Sequence, residues 1–298
     1  MMAPMRASTA VGATAPIRLP DPELPWDLPQ PEPRPEPHGG LRVLVHAGRG
    51  GRLRRVLTAL SLSVPADRTT VIGFRWDAER VEAALAELPS RPDILLEPRD
   101  RGSAAGVLLA ACRVWRGEAD ATLAVISGRR GGVAPGPRLV DTLEEAARFV
   151  NRYPRWVLLL GERGDERTPA LWIVPESVLD CSETAPVWRV GALGRGVRSE
   201  VTAGGSAAFR WTGALVAKAA RLVNRGRQLL PGAHSALLQA APFIGSRAQG
   251  QALQRAYAVI PRLDLVPTLL EPSLIDLAVA EPAGATWIRG LQVVRRIS

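Results

Sequence analysis

Lysine is all but missing from this chain: of its 38 basic residues only Lys218 is lysine, and the arginines are spread along the whole length. A nucleic-acid footprint would gather its positive charge on one face or in one tail. The formal net charge of +9 therefore reads as compositional bias, and a basic nucleic-acid-binding module ranks last among the functional readings. Cysteine is as scarce, with Cys112 and Cys181 alone, which argues against a disulfide framework. His38, His46 and His234 stand apart with no CxxC or HExxH spacing, so a His/Cys metal site is not expected either. Any metal would rest on carboxylates and phosphates. No apolar run approaches the roughly 20 residues of a membrane-spanning helix, and the N-terminus lacks the continuous apolar core of a secretory signal. The expectation is a cytoplasmic protein with no place in a membrane.

What is present is a globular composition. In 298 residues, 46% hydrophobic and 22% charged, there is ample material for one large α/β domain. Met1 to Gly40 holds 10 of the 26 prolines, alternating with polar residues from Pro29 to Pro37. Such a stretch cannot bury enough surface to fold, and residues 1–40 are expected to be a disordered arm ahead of a domain over 41–298. Within that domain Leu41–Val45, Thr69–Phe74, Ile94–Leu96 and Ala121–Ile126 are strand-like runs. Helical patterns separate them, and Asp77, Ser103 and Asp141 stand where N-caps would. The alternation argues a Rossmann-like, doubly wound, mainly parallel sheet.

Two turns stand out. His46-Ala-Gly-Arg-Gly-Gly-Arg-Leu53 is a glycine-rich turn opening a helix, where the backbone can approach a phosphate; Gly48, Gly50, Gly51 and Arg52 are the candidates. Asp93 to Arg113 runs from a buried strand through a charged turn into an Ala/Leu-rich helix, which puts Arg101 and Ser103 at the carboxyl end of a sheet, facing a ligand.

The second turn resembles the E-P-x-x-R-N-T-A-P-A-I-x-L-A-A segment of the mannose-1-phosphate guanylyltransferase-like sugar-1-phosphate nucleotidyltransferases. Glu97, Pro98, Arg101, Ala104, Leu109, Ala110 and Ala111 match it; Ser103 replaces Thr, Gly102 replaces Asn and Ala105 replaces Pro. The first turn is similar to A-G-G-x-G-T-R-L at Ala47, Gly48, Gly51 and Leu53, one residue shorter. Further on, Thr212 and Gly213 fit the family's strand-to-helix step N-S-G, with Lys218 on the helix that follows. Ala256, Tyr257, Pro261, Leu270 and Glu271 fall in register with A-Y-x-x-L-P and the residues after it, and Trp287 stands in W-S-D-x-G. The resemblance implies a nucleotide-diphospho-sugar transferase type of fold and the reaction NTP plus sugar-1-phosphate to NDP-sugar plus pyrophosphate. It also implies Thr212, Gly213 and Glu271 on the sugar side.

In that family two aspartates hold Mg²⁺, and the metal neutralises the reacting phosphates. Here Gly128 and Arg289 occupy those two positions, and no Glu-Lys-Pro motif exists. No metal or other cofactor is expected, and the resemblance implies a divergent member that is inactive or impaired. Arg52, Arg101, Arg129 and Arg289 would suit a metal-free phosphate grip, although an arginine-rich composition over an eroded site is the preferred account of them. The expected partners are a nucleotide or nucleotide sugar. A regulatory or scaffolding role beside an active homologous enzyme is the second reading.

Overall fold

The computed structural model describes residues 40–47, 52–127, 134–135, 138–163, 169–181, 186–201, 207–281 and 287–288. The proline-rich arm, apart from Gly40, lies outside them, as do Gly48, Gly50, Gly51, Gly128, Arg129 and Arg289.

The first half alternates as its sequence pattern requires: β1 (Leu41–His46), α1 (Arg52–Ser61), β2 (Thr69–Phe74), α2 (Ala78–Leu85), β3 (Asp93–Glu97), α3 (Ser103–Gly117) and β4 (Thr122–Ser127). These four strands pair in parallel in the order β3-β2-β1-β4. Side chains on successive strand residues point to opposite faces. Val43 and Val45 accordingly join Leu53, Leu57 and Leu60 of α1 and Val81 of α2 in one apolar cluster, while Leu44 joins Leu108 and Leu109 of α3 in the other. Cys112 is fully buried on α3, and burial pushes its thiol up to about 12, which leaves it inert.

The second half comprises β5 (Ala134–Pro135), α4 (Leu139–Arg152), β6 (Val157–Glu162), β7 (Ala170–Cys181), β8 (Pro186–Gly196), α5 (Arg198–Val201), β9 (Phe209–Lys218), α6 (Ala219–Leu229), α7 (Pro231–Ala240), α8 (Gln249–Val259), β10 (Leu277–Ala280) and β11 (Trp287–Ile288). Here the expectation of a mainly parallel, doubly wound sheet is corrected. β9 lies antiparallel between β4 and β6; β10 runs parallel to β6 and antiparallel to β8, and the β7–β8 hairpin returns to pair with β9. The sheet is mixed, and β9, β6, β10, β8 and β7 pair in a closed ring. The cause is legible in β9, where Ala214 and Val216 pack into one cluster and Leu215 and Ala217 into the other. A strand buried on both faces reads as a continuous apolar run whichever way it points. β5 and β11 form a separate antiparallel pair.

Several local expectations are corrected with it. The step at Phe209–Ala217 is strand throughout, and Lys218 ends β9 instead of riding on a helix. Its Nζ lies 2.9 Å from the Asp120 carboxylate and donates to the Asp120 carbonyl at 2.8 Å. Asp77 makes no side-chain cap, and Asp141 sits inside the first turn of α4, exposed and paired with Arg138.

A buried clamp secures the return of the chain to β10. Arg225 of α6 donates from Nε to the Leu269 carbonyl (2.9 Å) and from Nη2 to the Ser273 carbonyl (2.9 Å), and its guanidinium pairs with Asp276. Arg221 pairs with the same carboxylate. Burial alone would raise the Asp276 pKa, but the two guanidinium groups hold it below the usual carboxylate range.

Candidate functional site

The carboxyl ends of the four parallel strands carry His46, Phe74, Glu97 and Ser127. Glu97 has no exposed surface. Tyr257 of α8 donates its hydroxyl proton to Glu97 Oε1 at 2.8 Å, and His46 Nε2 stands 3.7 Å from Glu97 Oε2. Burial pushes the Tyr257 phenol well above its ordinary value, and the neighbouring carboxyl adds to the shift, so the proton stays on tyrosine. Gly106 makes room for this arrangement: a Cβ there would lie 2.9 Å from Glu97 Oε2 and 2.8 Å from Ile72 Cγ2.

The loop after Glu97 is tied down on all sides. Gly102 N–H donates to the Asp100 carboxylate at 2.9 Å, and its φ of 85° lies where side chains are rarely tolerated. A Cβ at Gly102 would run into the Leu263 carbonyl, so the glycine here answers both to its φ and to the segment crossing above it. That segment, together with the end of α8, makes four hydrogen bonds to the loop. Leu263 N–H donates to the Arg101 carbonyl (2.6 Å) and Ala104 N–H to the Leu263 carbonyl (2.8 Å). Arg101 Nε donates to the Tyr257 carbonyl (3.0 Å), and Leu265 N–H donates to Ser103 Oγ (3.0 Å).

Two of the predicted phosphate binders, Arg101 and Ser103, take part in this latch. The Ser103 hydroxyl accepts from a distant backbone N–H and does not cap α3; Gly102 holds the cap position. Arg101 is half-buried against α8, and one of the backbone donors at the start of α3 is already satisfied by Leu263. At the positive end of α3, expected to face a ligand, the chain itself takes up that one donor.

The sugar-side candidates are dispersed as well. Thr212 and Gly213 form a bulge in β9: the pairing jumps from Leu160 opposite Ala214 to Gly161 opposite Trp211. Thr212 Oγ1 donates to the Leu160 carbonyl at 2.7 Å and Gly213 takes φ 87°. Bulges of this kind bend a strand at a ring or barrel rim. Glu271 is exposed beyond the turn at Val266–Leu270, away from the bonds of the latch. Among the remaining candidates, Arg52 begins α1, while Gly48, Gly50 and Gly51 lie outside the described residues.

Two residues that the sequence offered only as a motif match, Tyr257, and as the histidine opening the glycine-rich turn, His46, belong to this site. His46 closes an apolar strand as a buried polar side chain, and Tyr257 is one of only two tyrosines, set in an otherwise small or aliphatic context. Those were the available signals. Among the described residues no group of three or more His, Cys, Asp and Glu side chains could hold a metal ion.

Among the described residues no helix is long and apolar enough to cross a membrane. No family model matches the chain and no curated protein matches it. Solved structures do. Mannose-1-phosphate geranyltransferase from Thermus thermophilus is similar with a TM-score of 0.60 at 19% identity, over 81% of this chain and 74% of that one. Mannose-6-phosphate isomerase from Helicobacter pylori gives 0.59 at 11% identity, over 84% and 99%. Identities this low speak for architecture alone: the chain shares the mixed α/β fold of these structures.

Proposed function

We propose that this chain binds a nucleotide or nucleotide sugar on a sugar-1-phosphate nucleotidyltransferase frame, most like the mannose-1-phosphate guanylyltransferases, and that metal-assisted transfer is lost or severely impaired in it. The observation that supports this reading is the latch. The two segments that carry most of the sequence resemblance, Glu97 to Arg113 and Ala256 to Glu271, are distant in the chain. They meet through the Tyr257–Glu97 hydrogen bond and the pairings of Arg101, Ser103 and Ala104. That two stretches with likeness to one family also lie against each other in the fold favours the resemblance. The neighbours' names, both of mannose phosphate enzymes, agree with it.

The impairment rests on Gly128 and Arg289. Charge neutralisation by a metal supplies much of the barrier reduction in phosphoryl-type transfer, and a guanidinium cannot stand in as a metal ligand. The test is titration calorimetry on the full chain with GTP and other nucleoside triphosphates, with and without Mg²⁺, followed by turnover assays with mannose-1-phosphate. Binding that is independent of Mg²⁺, with no NDP-sugar formed, is the expected result. NDP-sugar synthesis at ordinary enzymatic rates would sink the impairment; failure to bind any nucleotide would sink the nucleotide-binding frame.

A further inference from the structure

Where β2 leaves the sheet, two rings form a ledge. Phe74 is buried, and Trp76 lies on it with ring centroids 4.4 Å apart and only 12° between the planes. Phe74 is braced in turn by His46, edge-on at 6.2 Å and 72°. Trp76 is nonetheless 58% exposed. With one face resting on Phe74, that exposure belongs to the opposite face and the ring margin.

The place is as informative as the exposure. β2 lies between β1 and β3, and in register its last residue, Phe74, sits opposite Glu97. Ala47 N–H donates to the Ile72 carbonyl at 2.6 Å, which ties the exit of β1 to the same end of the sheet. The ledge therefore stands at the carboxyl ends of the parallel strands, the side on which open α/β sheets take their ligands. Arg75, beside it, is exposed and supplies positive charge.

A tryptophan held flat by a buried ring has already lost much of its rotamer freedom, so a second ring can stack on it without the ordering cost a mobile side chain would add. Aliphatic side chains exposed for want of polar surface are common; an indole stacked on a buried phenyl with its other face open is a shaped surface. We infer that Trp76 is the stacking platform for a nucleobase, with purines held better than pyrimidines because the overlap is larger. This deepens the nucleotide-binding reading above and rests on it. Stacking is tolerant of base identity because every base offers a π-face, so the ledge ranks ligands by ring size and leaves discrimination between adenine and guanine to other groups.

The experiment is calorimetric titration of the full chain with GTP, UTP and inorganic pyrophosphate, comparing wild type with Trp76→Ala and Trp76→Phe. Trp76→Ala is expected to weaken GTP about ten-fold or more and UTP less. Pyrophosphate, which has no base to stack, should stay within about two-fold, and Trp76→Phe should recover most of the GTP affinity. Unaltered GTP binding by Trp76→Ala would overturn the ledge while leaving nucleotide binding intact. Equal loss of GTP and pyrophosphate would overturn it as general damage. A wild-type chain that binds no nucleotide overturns the ledge together with the reading it rests on.

Discussion

Two tethers hold residues 257–276 to the rest of the molecule, and they are made differently. At the far end Arg225, Arg221 and Asp276 form a clamp of opposite charges out of water. At the near end the latch over Glu97–Ala104 is largely backbone pairing, fitted around a glycine and pinned by one tyrosine hydroxyl. A buried charge is costly once its partner is removed, whereas a backbone latch is sensitive to shape and loses little when one polar atom goes. The clamp should therefore govern stability, and the latch the geometry of the site beneath it.

Mutations can break or sharpen that contrast. The largest effect is expected for Arg225→Ala, which leaves the buried Asp276 carboxylate with Arg221 as its one remaining cation and strands the Leu269 and Ser273 carbonyls; denaturant unfolding should show a loss of about 3–5 kcal/mol. The clamp also predicts a pH dependence. Because the folded-state pKa of Asp276 lies below its ordinary 3.8, its stabilisation is complete above that value and is lost as pH falls through the folded-state pKa. Asp276→Asn should flatten the acid limb of the stability profile, and an unchanged limb would remove Asp276 from the account. Gly102→Ala comes next, at about 2–3 kcal/mol for positive φ together with the Leu263 collision. Hydrogen exchange at Leu263, Leu265 and Ala104 should rise before the global unfolding rate does. Tyr257→Phe should cost less, about 1–2 kcal/mol, since it removes one hydroxyl from a buried carboxyl group. The smallest effect belongs to Glu271→Ala, within about 0.5 kcal/mol as for other exposed sites. If Gly102→Ala proved costlier than Arg225→Ala, the division of labour would be wrong.

The parallel half was legible because each of its strands is a short apolar run bounded by turn residues and followed by a helical period, as Thr69–Phe74 and the Val81/Leu85 stripe show. The ring was not. β9 is buried on both faces, so no alternation gives its direction, and the β7–β8 pairing is interrupted by register shifts at Val174, Pro175 and Val178. At the site, Arg101 and Ser103 follow β3 in a strand–turn–helix unit, and nothing in the sequence shows what lies over them. The Leu263 carbonyl and the Leu265 N–H are main-chain groups, and main-chain groups leave no mark in a sequence. Gly102 is the one indirect trace, since the glycine there answers to the approach of a second chain segment as well as to its own turn.

The closed ring has a consequence for how this protein keeps company with itself. A β-strand with one side unpaired offers a row of donors and acceptors that another molecule can extend, and closure removes that opportunity wherever the five strands of the ring pair with one another. Among the described residues the parallel end of the nine-stranded sheet terminates at β3, which pairs with β2 alone. That strand is five residues long, and at its start Asp93 is half-exposed and bound to Arg113 at 2.8 Å. A short margin guarded by a fixed charge pair discourages strand addition. Removing both charges of that pair is where aggregation by sheet extension would begin.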